Sequence, residues 1–113
     1  MKRINVPSEY QAVWLYAMFD LPVDSKESRR RYAQFRNELL NEGFTMLQFS
    51  VYARYFGSEE SAGPYKQRIR AMLPPDGQVR LLTVTERQFG KQEVYCGKKR
   101  VRAEAEPEQA MLF

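Results

Sequence analysis

Asp20 is the first residue of this sequence whose type and position could support chemistry. It follows the apolar run VWLYAMF, residues Val13 to Phe19, and precedes Leu21-Pro22. Such a run predicts a central strand buried on both faces, and Pro22 cannot extend it because proline has no N–H to donate. Asp20 would then stand at the rim of a sheet, where a carboxylate could hold a hard cation or cap a turn.

The composition restricts the available chemistry. Among its 113 residues the sequence has no histidine and one cysteine, Cys96. These counts exclude imidazole-based zinc sites, histidine general bases and an internal disulfide, and they leave carboxylates, hydroxyls, Lys, Arg and oxygen-bound metal ions. Cys96 is predicted to pack inertly. A chain with no disulfide and no apolar run of about 20 residues is expected in the cytoplasm rather than in a membrane.

Basic side chains form two clusters that could contact a polyanion, and the net charge is +4. On a helical wheel Arg30 opposes the apolar stripe of the first predicted helix, and the other arginines of that segment flank it. One guanidinium group can bind two phosphate oxygens at once, and such a contact does not read the base sequence. These clusters therefore predict contacts with a nucleic-acid backbone. The alternative is a solvated face whose arginines pair with Glu27 and Glu38. The predicted contact residues are Arg29, Arg30, Arg31, Arg36, Lys98, Lys99 and Arg100.

Two amphipathic segments predict helices. In the first, Asp24 and Glu27 suggest a capping box, and Gly43 suits a left-handed C-terminal cap. Its inward stripe is Tyr32, Phe35 and Leu39. The second is expected to begin at Ser61 rather than Ser58, because Pro64 is best tolerated in a first turn. Its inward residues are Tyr65, Ile69, Met72 and Leu73, and it stops before Pro74-Pro75.

The remaining apolar segments predict strands. Residues 44–56 favour two strands with a break between Gln48 and Ser50, and Val79 to Thr85 favours another. The order β-α-β-β-α-β predicts an α+β, ferredoxin-like domain, with an antiparallel sheet and two helices on one face. This domain should span residues 13–97. An extension of residues 1–12 precedes it, and a basic segment and acidic tail, residues 98–113, follow it as a strand or tail.

Four aromatic residues of the middle strands could stack on nucleobases, as on an RNA-binding sheet. They are Phe49, Tyr52, Tyr55 and Phe56. Since a strand in this position must bury one face, we interpret them as core and dimer-packing residues instead.

Three segments resemble the CRISPR-associated Cas-two family, and more narrowly its members from Cas9-type systems. They are FDLP (residues 19–22), SRRRYAQFRNELLNEGFTMLQFSVYARY (28–55) and LPPDGQVRLLTVTERQF (73–89). Within the second, the pattern GFxMLQxSVYxRY is the specific one. The resemblance covers most of residues 13–97 and does not extend to the N-terminal extension or the tail.

The resemblance implies a symmetric homodimer for which two roles have been proposed. One is a non-catalytic centre of a spacer-integration complex, which holds duplex DNA between dimers of a larger integrase subunit. The other is a metal-dependent nuclease acting on RNA or DNA, with Asp20 as its catalytic residue and Mg²⁺ ligand. Two such carboxylates meeting across a two-fold axis would repel each other unless a cation lay between them. A stand-alone phosphodiesterase and a sheet-based RNA-binding module remain as alternatives.

The last residues predict a docking segment. An acidic stretch ends in Met111, Leu112 and Phe113, and a polar segment with an apolar end suits a groove on a partner. The resemblance favours the integrase subunit as that partner. Gln109 to Phe113, QAMLF, also resembles the short peptide that binds the replisome's sliding clamp. The third alternative is an end that is disordered or packs on its own dimer.

Overall fold

The computed structural model describes residues 12–107 and confirms the ferredoxin-like α+β fold. The predicted partner-binding residues Met111, Leu112 and Phe113, and nearly all of the N-terminal extension, lie outside the described residues. The elements are β1 (Val13–Asp20), α1 (Lys26–Asn41), β2 (Thr45–Gln48), β3 (Val51–Phe56), α2 (Glu59–Ala71), β4 (Gln78–Thr85), α3 (Glu86–Gly90), β5 (Val94–Cys96) and β6 (Lys99–Val101). None of the helices in this range is long and apolar enough to cross a membrane.

The main sheet has the strand order β2-β3-β1-β4, and all its neighbours are antiparallel. Strand β1 is central, as predicted, because Ala17 pairs with Tyr52 of β3 on one side and with Leu81 of β4 on the other. The predicted break between β2 and β3 is confirmed at Phe49-Ser50. Strands β5 and β6 form a separate two-stranded hairpin.

One face of the sheet packs against α1 and α2 and forms the main core. Phe35 and Leu39 of α1 and Ile69 of α2 are buried there, and Tyr32 packs against this cluster. The predicted inward stripe of α1 is thereby confirmed. Leu73 was wrongly placed in the core: it is 46% exposed, because α2 ends at Ala71 and Leu73 follows its C-cap.

Both predicted helix starts were wrong. Helix α1 is capped by Ser25, whose extended backbone directs its hydroxyl oxygen to accept the Ser28 N–H at 3.0 Å, so Asp24 lies outside the cap. Helix α2 is capped by Ser58, and Pro64 therefore lies inside the helix. Its missing N–H leaves the carbonyl of Glu60 without a helical partner. Since Glu60 is exposed, water can hydrogen-bond to that carbonyl.

The opposite face of the sheet packs against α3, a helix that no pattern in the sequence predicted. Phe89 of α3 stacks on Trp14 with ring centroids 4.0 Å apart and an interplanar angle of 7°. The Trp14 indole N–H donates a hydrogen bond to Glu86, and Ala53 completes this second buried cluster. We call this face the α3 face. Its other end, where β1 finishes, is not covered by α3, and Leu82, which lies on this face opposite Tyr16, is 49% exposed.

Candidate nucleic-acid interface and carboxylate site

Asp20 is the last residue of β1 and is exposed. Because side chains alternate along a strand and Phe19 points into the main core, Asp20 lies on the α3 face together with Met18. Its cross-strand partner is Gln78. Arg80, two residues further along β4, pairs with Met18. A carboxylate, an amide and a guanidinium group therefore share the uncovered end of this face.

A shallow cavity of about 250 Å³ adjoins Asp20. Its wall includes Phe49 and Ser50 of the β2–β3 turn as well as Gln78 and Arg80 of β4. Arg80 donates a hydrogen bond to Gln78 at 3.4 Å, and no carboxylate within residues 12–107 forms an ion pair with it. Its guanidinium group is thus available to an anion in this cavity.

Gly77 supports the end of β1 by close approach. It has φ of +88°, and a Cβ atom built on it would lie 2.6 Å from the carbonyl oxygen of Asp20 and 2.8 Å from Leu21. Only glycine combines this left-handed conformation with the absence of a side chain.

We expect Gly77→Ala to destabilise the protein and to displace Asp20. The methyl group must push the β1 terminus away while the backbone stays strained, at a cost of about 1–3 kcal/mol in the free energy of unfolding. Chemical denaturation measures this cost, and Gly63→Ala is the matched control because nothing lies within 4 Å of its Cβ position. Equal effects of the two substitutions would contradict the role assigned to Gly77.

The residues at this end of the sheet provide one carboxylate for a metal ion. No group of three or more His, Cys, Asp or Glu residues in the described part of the chain could hold a metal. Mg²⁺ is often bound through one or two carboxylates and several waters, so an exposed Asp20 fits it as a single ligand.

The arginines of α1 differ in their availability. Arg31 forms ion pairs with Glu27 and, at 3.7 Å, with Asp76. The ion pair with Glu27 is the alternative that the sequence left open. It makes the Arg31 guanidinium group less available to a phosphate. Arg29 donates to the carbonyl of Val23 at 3.2 Å and is exposed.

The two remaining arginines of this helix are also exposed. Arg36 has one long contact, 3.5 Å to Asn37, and Arg30 has no ion pair within the described range. Arg29, Arg30 and Arg36 therefore form the accessible basic face of α1.

The second predicted cluster lies on the β5–β6 hairpin. Lys98 follows Gly97 at the turn, Lys99 and Arg100 begin β6, and all three side chains are exposed. The hairpin spans residues 94–101 and thus straddles position 97, where the sequence placed the end of the domain. Cys96 is exposed on β5, so its predicted packing role was wrong.

The aromatic residues of β3 separate into two groups. Tyr52 and Phe56 are buried in the main core, which confirms their predicted packing role. Tyr55 lies on the α3 face, where its ring packs edge-on against Trp14 at 5.6 Å. Phe49 is 76% exposed and is not part of the core of one protomer, so for this residue only the predicted role in dimer packing stays a prediction.

Glu104 and Glu106 bring negative charge to the α3 face. Burial, the hydrogen bond to Glu106 and the charges of Glu106 and Glu86 raise the pKa of Tyr55 to about 12. Burial and the charge of Glu104 also raise the pKa of Tyr16. Residues 104–107 therefore lie beside the end of the α3 face that carries Tyr55, opposite to the end that carries Asp20.

We expect the raised pKa of Tyr55 to make stability fall at high pH. The folded-state pKa exceeds the usual value of 10, so the unfolded chain loses this proton first, and the free energy of unfolding decreases between about pH 10 and 12. Phenolate absorbance measured against pH should show this late titration. In Tyr55→Phe the step near pH 12 should be absent while the late titration of Tyr16 remains, and in Glu106→Gln the pKa of Tyr55 should move down; a titration unchanged in Glu106→Gln would contradict the assignment.

Residues 13–92 match the family model described as CRISPR associated protein Cas2. The chain belongs to this family. It is 48% identical over 101 residues to a protein of Parvibaculum lavamentivorans named CRISPR-associated endoribonuclease Cas2, a match that covers 89% of this chain and 100% of the relative. It is 38% identical over 106 residues to a protein of the same name from Flavobacterium psychrophilum, covering 94% of this chain and 92% of the relative.

The Cas2 family match includes the site around Asp20 and ends before the β5–β6 hairpin. Sequence reasoning identified Asp20 and the α1 arginines, but it missed Gln78, Arg80 and the exposure of Phe49. No local signal could have found Arg80, because its proximity to Asp20 depends on the register between β1 and β4.

Proposed function

We propose that this Cas2 family protein is a dimeric subunit of CRISPR spacer acquisition that holds duplex DNA together with the larger integrase subunit. The observation that carries the proposal is the accessible basic face of α1, formed by Arg29, Arg30 and Arg36. Exposed guanidinium groups on a rigid helix suit phosphate contacts that position a duplex without reading its sequence. A cytoplasmic location is part of this proposal.

The uncovered part of the α3 face supports the dimer. Leu82 is 49% exposed on this face opposite Tyr16 of β1, and Met18 and Val51 pair with each other two residues further along β1. An apolar sheet surface left uncovered in one protomer favours a second copy as its cover, and a two-fold arrangement would bring the two Asp20 residues toward each other.

We expect Leu82→Asp to weaken the dimer at least about tenfold, because the dimer would bury an unpaired charge. Sedimentation at several protein concentrations measures the dissociation constant. Leu73→Asp is the matched control, since Leu73 is 46% exposed and lies outside the sheet. A wild-type protein that is monomeric at micromolar concentration would contradict the dimer itself.

The spacer-acquisition role is tested by co-expression with the larger integrase subunit and mass measurement with and without duplex DNA. We expect a complex of both proteins that binds the duplex. Failure of the two proteins to associate under any of these conditions would overturn this role.

A second function, metal-dependent endoribonuclease, is favoured by the exposure of Asp20 at a strand end and by the names of the relatives. Bound Mg²⁺ would supply Lewis-acid stabilisation and an activated water molecule for phosphodiester hydrolysis. Asp20 would hold the ion, and Arg80 would pair with a substrate phosphate. This activity is tested by incubating the purified protein with labelled single-stranded RNA, or with duplex DNA, in Mg²⁺ and in chelator.

The stand-alone phosphodiesterase differs from this second function only in acting without the integrase subunit. A sheet-based RNA-binding module is less well supported, because Tyr52 and Phe56 face the helices instead of solvent.

A further inference from the structure

Phe49 has the most exposed large apolar side chain among residues 12–107, at 76%. It lies in the turn between β2 and β3, next to Ser50, whose φ of 63° is in the left-handed region that non-glycine residues seldom adopt. In one protomer an exposed phenyl ring forgoes the burial of apolar surface, and a left-handed serine carries backbone strain.

The Phe49 ring is nevertheless held in place by its surroundings. It stacks on the ring of Tyr32 with a centroid distance of 5.7 Å and an interplanar angle of 18°. The Tyr32 hydroxyl is hydrogen-bonded to the Ser50 hydroxyl at 2.8 Å, and the Ser50 carbonyl accepts the Phe19 N–H at 3.0 Å. A ring displayed from a turn anchored in this way loses little conformational entropy when a ligand covers it.

Phe49 also stands between two charged features of the site. It lines the cavity of about 250 Å³ that contains Asp20 and Arg80. Its stacking partner Tyr32 lies on α1 within one turn of both Arg29 and Arg36, the accessible basic residues of that helix. The aromatic surface can contact the base of a nucleotide, and the guanidinium groups can contact its phosphates. The carboxylate lies where the phosphodiester bond of that nucleotide would be cleaved.

We propose that Phe49 is a base-stacking residue that positions an unpaired nucleotide of a single-stranded nucleic acid beside Asp20. Bases in a duplex are already stacked on both faces, so this contact selects an unpaired base. Arg80 then pairs with a flanking phosphate. The inference rests on the endoribonuclease function proposed for Asp20. It adds to that function the residue that selects a single-stranded substrate over a duplex.

Fluorescence anisotropy with a labelled single-stranded RNA, in chelator to prevent cleavage, tests the contact. The same oligonucleotide with abasic residues keeps the phosphates and removes the bases. We expect Phe49→Leu to weaken binding of the intact RNA about tenfold and to leave binding of the abasic oligonucleotide unchanged. Phe49→Trp should retain wild-type affinity. Tyr95→Leu is the matched control, because Tyr95 is 53% exposed on the β5–β6 hairpin, and it should change neither affinity. Single-stranded DNA should respond as RNA does, since stacking does not read the 2′-hydroxyl.

Two results would overturn the proposal. Equal losses on the intact and abasic oligonucleotides would show that Phe49 does not contact a base. Dissociation of the dimer by Phe49→Leu in sedimentation would show that a second copy covers the ring. Failure of the endoribonuclease function is distinguishable, because wild-type protein would then bind with the expected base dependence and yet leave RNA intact in Mg²⁺.

Discussion

Asp20→Asn is expected to reduce Mg²⁺-dependent cleavage of RNA by at least about a hundredfold. The substitution keeps the size and shape of the side chain, but it removes the charge that would hold the ion and replaces one acceptor oxygen with an NH2 donor. Losses of about 10- to 100-fold are typical even when only the residues supporting a metal ligand are changed. Cleavage rates at saturating Mg²⁺, with Mg²⁺ affinity from calorimetry, measure the effect.

Asp24→Asn is the matched control for this variant. Asp24 is also an exposed carboxylate after β1, but it accepts only a long hydrogen bond, 3.4 Å, from Ser28. The Asp24→Asn variant should cleave RNA like the wild type. Because Asp20 is exposed and at a strand end, Asp20→Asn should also keep duplex binding and dimerisation. Undiminished cleavage with unchanged Mg²⁺ affinity would leave Asp20 as a turn residue and would remove the endoribonuclease proposal.

Replacing Arg29, Arg30 and Arg36 by alanine is expected to weaken duplex binding equally for all sequences and to flatten its dependence on salt. Each phosphate contact that is lost reduces the magnitude of the slope of log K against log salt concentration by about 0.9. Losing all three contacts would therefore reduce it by about 2.7 for each protomer in contact with the duplex. Binding titrations at several salt concentrations, on duplexes of unrelated sequence, give both quantities.

Arg68→Ala is the control for the arginine variant. Arg68 is exposed on α2 but is paired with Glu42 at 2.9 Å and stacked on Tyr65, so its removal should leave the salt slope unchanged. If the triple variant keeps the wild-type slope, these arginines are a solvated helix face, and the DNA-holding function loses the observation that carries it.

Local sequence patterns determined the order of the elements from β1 to β4 but did not indicate α3. The apolar run before Asp20 indicated a buried strand, and the spacing of Tyr32, Phe35 and Leu39 indicated the inward face of α1, because these signals depend on residues close together in the chain. The capping residues were predicted less well. Asp24, Ser25, Ser58 and Ser61 are all competent caps, and the choice depends on where the backbone leaves the extended conformation.

The candidate site was predictable only in part. Asp20 was recognisable because a carboxylate directly follows a buried strand. Its neighbours Gln78 and Arg80 reach it through the pairing of β1 with β4, across more than fifty residues of chain, and strand pairing at this distance leaves no local pattern. The exposure of Phe49 was equally hidden, since its segment FTMLQFSVYARYF is apolar on both sides of the turn. Whether an aromatic residue in such a segment enters the core or faces solvent is decided by the turn that contains it, and here a left-handed Ser50 and the contact with Tyr32 turn the ring outward.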